Sequence, residues 1–296
     1  MLKKKRKFML SEIVLCVILV VYSAFMLYLL YWGLLTSLKS NDDFLIEQNF
    51  FGLPTEWALE NYEAVFNRLY VRVTRDGLGM QIGMIYQLLY TVLYAVGGGF
   101  LSSLAPFLVA YACMRFDYKF NGVLSTMVLI VMIVPIVGSS TSMLSLLTQL
   151  GIYDTFLGVY CEKFIFTSIY FLIYSGILKG LSKSFSEAAT IDGANEFQIM
   201  MVINFPLIIN VFMTVMLIYF IQYWNDYQTP LLYMPSYPTL SYGVYSLTVN
   251  TSASLGLNYK TVQMAASMTL IVPILIAFII FKDKIMGNLT MGGEKE

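Results

Sequence analysis

Long apolar stretches constrain the fold of this 296-residue chain more than any other feature of its sequence. A helix needs about 20 apolar residues to cross the hydrocarbon core of a bilayer, which is about 30 Å thick. Six stretches reach that length without a charge in their middle, near residues 13–36, 85–113, 123–147, 163–181, 200–224 and 262–281. We therefore predict an all-α, polytopic membrane protein with six transmembrane helices.

The composition points the same way. Only 12% of the residues are charged and 58% are hydrophobic, whereas soluble proteins carry about 25% charged residues. A basic segment, Lys3–Lys7, precedes the first stretch, as in a signal peptide. However, the 24 apolar residues that follow are too many for a signal peptide, and no small-x-small cleavage site comes after them. We expect residues 1–12 to be a basic cytoplasmic N-terminus, residues 13–284 the membrane domain and residues 285–296 a cytoplasmic tail.

Glycines and prolines qualify this topology. Gly97–Gly99, together with nearby serines, give the second stretch a surface of small residues that suits close helix packing. Pro135 and Pro273 each remove a backbone hydrogen bond, so we expect kinks in the third and sixth spans. The uncharged region 227–259 contains three prolines and two glycines. Lipid cannot satisfy such an interrupted backbone, so we do not count this region as a span.

The distribution of positive charge predicts the orientation. With the N-terminus inside, the internal segments hold twelve of the eighteen Lys and Arg residues: Lys3, Lys4, Lys5, Arg6, Lys7, Arg115, Lys119, Lys179, Lys183, Lys282, Lys284 and Lys295. By the positive-inside rule, we expect both termini to be cytoplasmic. The net charge of zero gives no basic field, so we expect no nucleic-acid partner.

The residues that the spans lack exclude several functions. The chain has no histidine, and its three cysteines show no CxxC spacing, so we expect no metal site. The segment Gly176–Ser184 fails the spacing of a phosphate-binding loop. An ion-coupled secondary transporter is the first alternative function, disfavoured by span interiors without charge. A membrane-embedded enzyme is the second, disfavoured by the missing histidine and the lack of paired acids, so we expect no catalytic residues.

A polar insert, EAATIDGANEFQIMMVINFPL, separates the fourth and fifth apolar stretches. Ala188 and Ala189 favour helix and have little side-chain bulk, so they permit close approach of another protein. The Asp192-Gly193 pair indicates a turn, and a second helix can begin near Asn195. We therefore predict a cytoplasmic helix-turn-helix over residues 183–206, fixed at both ends to membrane helices.

The same insert resembles the EAA motif of bacterial ABC-importer permeases. The match consists of an acidic residue, two alanines, a glycine four positions later and a proline thirteen residues beyond the glycine: Glu187, Ala188, Ala189, Gly193 and Pro206. The segments IDGA and FPL fit the branch of this family that takes up carbohydrates, which includes the second permease of the maltose importer. Further matches keep their order along the chain in LENYEAVF, VAYACMRF, LGIYDTFLG, YWNDYQTPLL and the tail NLTMGGEKE.

This resemblance implies a coupling helix that docks on a cytoplasmic ATPase. Glu187 would make a polar contact with the ATPase, Ala188 and Ala189 would allow close docking, and Gly193 would form the turn beside Asp192 and Ala194. The expected partners are a second permease subunit forming a heterodimer, two ATPase subunits or domains, an extracellular solute-binding protein and the lipid bilayer. ATP and Mg would bind to the partner ATPase, and this chain would bind no cofactor.

The resemblance extends to the C-terminal tail. Four residues correspond to a segment that reaches the ATPase interface in the maltose importer: Leu289, Thr290, Gly292 and Lys295. The tail departs from the pattern at Asn288 and Glu296, where the family commonly has glycine, so insertion of the tail is a weaker expectation than docking of the loop.

Candidate residues for the solute pathway follow from sugar chemistry. Sugars favour aromatic faces and amide or hydroxyl partners, and alternating access places a solute near the membrane midplane. The candidates are Tyr223, Trp224 and Asn225 with Ser139, Ser140, Thr141 and Ser142. Aromatic residues at the end of a span also serve as interfacial anchors, and hydroxyls within a span also bond to their own helix, so both interpretations stay open.

Overall fold

The computed structural model describes residues 10–75, 77–116, 118–134, 138–249 and 259–290, without the side chains of residues 183 and 281–290. Within these ranges the chain is mostly helical. The helices are α1 Leu10–Ser37, α2 Asn41–Leu45, α3 Glu60–Arg68, α4 Met84–Arg115, α5 Asn121–Ile133, α6 Ser139–Gln149, α7 Phe156–Lys163, α8 Ile169–Gly180, α9 Lys183–Ile191, α10 Glu196–Gln198, α11 Phe205–Trp224, α12 Gln228–Tyr233, α13 Leu240–Val249 and α14 Lys260–Thr290. The strands are β1 Tyr70–Arg75 and β2 Leu78–Gly83.

Among the described residues, four helical segments are long and apolar enough to cross a membrane. They are Leu10–Ser37, Met84–Arg115, Glu196–Trp224 and Lys260–Ile280. Two shorter apolar helices, α5 and α8, lie in the other two predicted spans. The expectation of a polytopic helical membrane protein is confirmed at this level, whereas the number of six spans stays a prediction.

The third predicted span is not one continuous helix. We expected helix over residues 123–147 with a kink at Pro135, but α5 ends at Ile133 and Val134 is extended, with ψ of 114°. Helix α6 starts at Ser139, after Gly138 in the left-handed region with φ of +79°. The residue before a proline is kept out of the helical region by the proline ring, which accounts for the extended Val134. Pro135 itself lies outside the described residues.

The fourth predicted span begins later than expected. Lys163 ends helix α7, and α8 covers only Ile169–Gly180 after the extended Ser168. Twelve helical residues rise about 18 Å, which is less than the thickness of the bilayer core. The hydropathy of residues 163–181 is continuous across this break, so it could not locate the start of the helix. In the sixth predicted span, α14 continues through Pro273.

A β-hairpin corrects the prediction of an all-α chain. Strands β1 and β2 pair antiparallel, from Tyr70 opposite Gly83 to Arg75 opposite Leu78. The sequence YVRVTR alternates β-branched and polar residues, which suits a half-buried strand. Gly77, with φ of +76°, closes the two-residue turn. The buried side chains of the hairpin pack against two partly buried tyrosines, Tyr90 and Tyr242.

The chain divides into two compact units. The first comprises residues 1–69 and 247–271, and the second residues 70–246 and 272–296. In the first unit, the amide of Asn61 in α3 donates to the backbone carbonyls of Ser37 and Lys39 at 3.0 and 2.8 Å. The hydroxyl of Tyr62 lies 2.7 Å from that of Ser37. These bonds fix α3 against the end of α1.

The core of the second unit lies between α4, α8 and α11. Phe107, Phe171 and Phe212 are fully buried in it, and the rings of Phe107 and Phe212 meet nearly edge to face. The hydroxyl of Ser103 in α4 bonds to that of Tyr174 in α8 at 2.7 Å. Helices α4 and α11 approach closely at Gly99, where a Cβ atom would lie 3.2 Å from a backbone oxygen of α11. These contacts make α4 the central helix of the second unit.

Candidate functional site

The segment predicted to contain the helix-turn-helix has a sharply defined turn. Helix α9 begins two residues after α8 and ends at Ile191. The N–H of Gly193 donates to the carbonyl of Thr190 at 3.1 Å, and the N–H of Ala194 to that of Ala189 at 2.9 Å. This pair of bonds is a Schellman motif, which needs a residue in the left-handed region. Gly193 supplies it with φ of +85°.

The chain enters the next helix through a complete capping box. The side chain of Asn195 accepts from the N–H of Gln198, and the side chain of Gln198 accepts from the N–H of Asn195, both at 2.9 Å. A π-helical segment, Ile199–Asn204, then leads into α11. Pro206 stands in the first turn of α11 and has no N–H to continue the α-helical ladder. The backbone of the turn is therefore satisfied internally on both sides of Gly193.

Most of the residues expected to couple to an ATPase lie on the surface of this turn. Glu187, Ala188, Asp192, Gly193 and Pro206 are exposed, while Ala189 and Ala194 are half-buried. A small surface pocket is lined by Asp192, Gly193, Ala194, Gln198, Val202 and Ile203.

Sequence reasoning missed a group of exposed apolar residues around the turn. This apolar rim consists of Phe185, Ile191, Phe197, Met201 and Val202. Ile191 is 86% exposed and Val202 is 71% exposed. The signal was present in the sequence as large apolar residues immediately beside the polar Asp192-Gly193 turn.

An arginine of α4 holds both sides of the turn. The Nε and Nη2 atoms of Arg115 each lie 2.8 Å from a carboxylate oxygen of Glu196 in α10. The same Nη2 donates to the hydroxyl of Thr190 in α9 at 3.4 Å. A guanidinium bound by two parallel hydrogen bonds is fixed in orientation as well as in position.

A second, buried link joins α9 to the π-helical segment. The amide of Asn204 donates to the hydroxyl of Ser186 at 3.3 Å and to the carbonyl of Ile199 at 3.4 Å. Asn204 and Ser186 are 8% and 7% exposed. The first helix of the turn is thus connected to the start of α11 as well as to α4.

A second site, the charged cluster, consists of Glu162, Lys163 and Asp226 and lies toward the other end of α4. The ammonium of Lys163 at the end of α7 lies 3.0 Å from a carboxylate oxygen of Glu162 and 4.0 Å from one of Asp226. It also lies 4.7 Å from the ring centroid of Tyr223. Sequence reasoning did not predict that these three charged residues meet.

Tyr223 is held inside this cluster. Its hydroxyl lies 2.7 Å from that of Ser102 in α4, and its ring packs on Gly98. Tyr160 in α7 donates to the carbonyl of Leu93 in α4 at 2.8 Å, and burial raises the pKa of its phenol, so it stays a donor. These bonds fix the ends of α7 and α11 to α4.

The other candidates for the solute pathway are not gathered at one place. Trp224 is buried, whereas Asn225 is exposed and its amide donates to the carbonyl of Ile221 in its own helix at 2.9 Å. The four hydroxyl residues of the first turn of α6 are all exposed: Ser139, Ser140, Thr141 and Ser142. The carbonyl of Ser140 accepts from Tyr233 in α12 at 3.1 Å.

The two polar sites are separated by about the thickness of a membrane. Tyr94, whose ring centroid lies 6.0 Å from the ammonium of Lys163, and Arg115, at the turn, both belong to α4. Twenty-one residues of helix rise about 32 Å, close to the thickness of the hydrocarbon core. No charged residue stands between them in the sequence. This spacing suits a helix that crosses a bilayer with a polar site at each surface.

Only two of the four C-terminal candidates lie within the described residues. Leu289 and Thr290 belong to the last turn of α14, without described side chains, and Gly292 and Lys295 lie outside the described residues. Among the described residues, no group of three His, Cys, Asp or Glu side chains could hold a metal ion.

Comparison with known proteins places this architecture among transporters. The chain is 27% identical over 300 residues, with 100% of both chains covered, to the arabinooligosaccharides transport system permease protein AraQ of Bacillus subtilis (strain 168). It is 25% identical over 192 residues, covering 64% of this chain and 68% of the relative, to the melibiose/raffinose/stachyose import permease protein MelC of the same organism.

A solved structure shares the fold. It is the crystal structure of a bacterial ABC transporter involved in the import of the acidic polysaccharide alginate, one chain of which matches with a TM-score of 0.72 and 20% identity. The match covers 94% of this chain and 99% of that one. The model of one protein family matches residues 101–287, which is more than half of the chain and includes both polar sites apart from Leu93, Tyr94 and Gly98. The chain therefore belongs to the family of binding-protein-dependent transport system inner membrane components.

Proposed function

We propose that this chain forms the translocation pathway of an ABC importer for a sugar or oligosaccharide, together with a second permease subunit. The chain is a multi-pass membrane transport subunit and not an enzyme, because its family is that of the permeases, whose ATPase is a separate subunit. The relatives named for arabinooligosaccharides and for melibiose, raffinose and stachyose support the solute class.

The turn around Gly193 is the proposed docking site for the ATPase. The observation that carries this proposal is the apolar rim, which is exposed although both helix ends beside Gly193 are capped. Exposed apolar patches beside polar residues mark contact sites for other proteins. Glu187 and Asp192, exposed next to the rim, supply charge for a polar contact with the ATPase.

The proposal includes the orientation and the partners. Both termini and the turn are cytoplasmic, ATP and Mg bind to two ATPase subunits or domains, and a solute-binding protein delivers the solute from outside. Helices α5 and α8 are about 18 to 20 Å long, so neither crosses the hydrocarbon core alone. Together with the segments next to them, they supply the remaining two of six membrane crossings. The tail from Leu289 to Lys295 is a secondary contact with the ATPase.

We propose that the solute pathway is lined by polar residues on the exposed surface of this subunit. Ser139, Ser140, Thr141 and Ser142 are exposed on α6 and Asn225 is exposed at the end of α11, so these side chains are free to face a pathway shared with the second permease. Tyr223 and Trp224 lie inside the subunit and would act behind that surface, by holding the end of α11.

A bulky residue at position 193 tests the docking proposal. A Cβ atom at Gly193 meets no atom of this subunit within 4 Å, so Gly193→Trp places its ring in space that only a partner would occupy. Gly193→Ala is the matched control, since it carries the same backbone strain of about 1 kcal/mol without the bulk. We expect Gly193→Trp to lose ATPase co-purification and solute uptake, and Gly193→Ala to retain both. Full assembly and uptake by Gly193→Trp would overturn the docking assignment.

Uptake into vesicles containing the whole transporter tests the energy source and the solute. We expect uptake of a labelled oligosaccharide to require ATP on the side of the ATPase and to survive collapse of the ion gradients. Loss of uptake on collapse of those gradients, with ATP present, would favour the ion-coupled alternative.

A further inference from the structure

We propose that Arg115 is a positioning residue that transmits movement of the turn around Gly193 to helix α4. The inference rests on the proposed function, because it needs an ATPase that moves the turn. Covalent connection already links the turn to two membrane helices, to α8 through residues 181–182 and to α11 through the π-helical segment. Helix α4 is remote in sequence from the turn, so its response requires contacts through side chains.

The geometry of Arg115 meets this requirement. Arg115 is the last residue of α4, and its guanidinium contacts Thr190 before the turn and Glu196 after it. One side chain therefore holds both helices of the turn. The two parallel hydrogen bonds to Glu196 hold the guanidinium in one orientation. A displacement of the turn in the plane of the guanidinium therefore moves the end of α4 with it.

The energy of the pair indicates that it positions rather than stabilises. The side chains of Arg115 and Glu196 are 23% and 45% exposed, and ion pairs with such access to water contribute little to stability. Removal of the pair therefore leaves the fold largely intact. What is lost is the planar fork of arginine, which a lysine cannot reproduce.

Helix α4 would carry such a movement alongside α11, which the chain itself joins to the turn. Its buried face contacts α8 through the bond between Ser103 and Tyr174, and α11 through Gly99. Toward its other end, Tyr94 of α4 bonds to Asp226 in the charged cluster, and Ser102, near the middle of the helix, bonds to Tyr223. A shift of α4 thus reaches both surfaces of the proposed membrane domain, which a shift of α8 alone, with its 12 residues, does not.

Charge exchange in the complete transporter tests the inference. The variants are Arg115→Glu, Glu196→Arg, the double exchange and Arg115→Lys, reconstituted in vesicles with measurement of ATP hydrolysis, ATPase co-purification and solute uptake. We expect each single exchange to retain the ATPase but to lower uptake per ATP hydrolysed by about fivefold or more, the lower end of typical coupling between sites. The double exchange should recover uptake per ATP to within about twofold of the unaltered protein. For Arg115→Lys, uptake per ATP should lie between that of the single exchanges and that of the unaltered protein.

The control is Lys119→Glu, which removes an exposed cation a few residues beyond the end of α4. We expect it to leave uptake per ATP unchanged. The inference is wrong if the single exchanges transport as well as the control, if the double exchange recovers nothing, or if the single exchanges release the ATPase. Failure of the docking proposal would give a different result, because Gly193→Trp would then still co-purify with the ATPase.

Discussion

The hydroxyl of Tyr94 donates a hydrogen bond of 2.6 Å to a carboxylate oxygen of Asp226, which fastens α4 to the segment after α11. The other carboxylate oxygen of Asp226 accepts the N–H groups of Gln228 and Thr229 at 2.9 and 3.1 Å. One acid therefore satisfies the first turn of α12 and holds it against α4. The bond matters because Asp226 is mostly buried, and a buried carboxylate needs its donors.

We expect Tyr94→Phe to destabilise the protein by about 1 kcal/mol. The change removes the hydroxyl and leaves the aromatic packing in place, and hydrogen bonds between membrane helices are typically worth about 0.6 to 2 kcal/mol. The measurement is the thermal unfolding of the purified transporter in detergent. Tyr86→Phe is the matched control, because Tyr86 lies on the same helix and is 60% exposed. Equal stability of the two variants would contradict the prediction.

Removal of the cation at Lys163 should destabilise the protein more. Lys163→Met keeps most of the side-chain volume but leaves Glu162 and Asp226 without their positive neighbour. Loss of one partner from a buried ion pair costs about 3 to 5 kcal/mol, and since all three side chains retain some exposure we expect the lower end of that range. Thermal or denaturant unfolding in detergent provides the measurement.

A second variant separates the charge from the packing. Asp226→Asn in the Lys163→Met background removes the acid that the lysine had neutralised, so the double variant should lose less stability than the sum of the two single changes. Lys179→Met, at an exposed lysine of α8, is the control for loss of a cation. Additive losses would show that Lys163 and Asp226 do not interact.

The sequence identified the apolar stretches but not the ends of their helices. Hydropathy responds to average composition, so it treated residues 163–181 as one span although the helix starts at Ile169. The proline at position 135 led us to expect a kink within one continuous helix, whereas α5 ends at Ile133. The β-hairpin was missed because six residues of alternating pattern carry little weight beside long membrane helices.

The turn was more predictable than the charged cluster. Gly193 and Asn195 act through bonds to residues within three or four positions, so a short sequence motif is enough to locate them. Lys163, Asp226 and Tyr94 are separated by more than 60 residues from one another and meet only through the packing of α4, α7 and α11. No spacing rule connects such positions. The pairing of Arg115 with Glu196 escaped for the same reason.

Close packing at Gly99 gives a test of the small-residue surface of α4. A Cβ atom there would lie 3.2 Å from the carbonyl oxygen of Met216 and 3.3 Å from the nitrogen of Phe220, both backbone atoms that cannot rotate away. We expect Gly99→Val to separate α4 from α11 and to cost about 1 to 3 kcal/mol, as overpacking usually does. Gly176→Ala is the control, since nothing lies within 4 Å of its added methyl group.

The comparison uses unfolding of the two variants in the same detergent. Alanine at position 176 should be neutral or slightly stabilising, because it favours the helix by up to about 1 kcal/mol over glycine. If Gly99→Val is as stable as Gly176→Ala, α4 and α11 are not in the close contact seen here.

The capping box at Asn195 makes the last prediction, which concerns the order of the turn rather than its partner. Asn195→Ala removes the acceptor for the N–H of Gln198, and loss of an N-cap side chain costs about 1 kcal/mol. Because Asn195 caps only the first turn of the continuous helical segment Glu196–Trp224, this loss should loosen the start of the helix locally rather than unfold the protein. Amide hydrogen exchange across residues 195–204 should therefore be faster in Asn195→Ala, with exchange in the buried part of α4 unchanged. Asn195→Ser is the matched control, since serine is an equally good N-cap, and it should restore slow exchange. If alanine and serine exchange at the same rate, the cap does not hold the turn, and the anchoring at Arg115 and Asn204 must suffice.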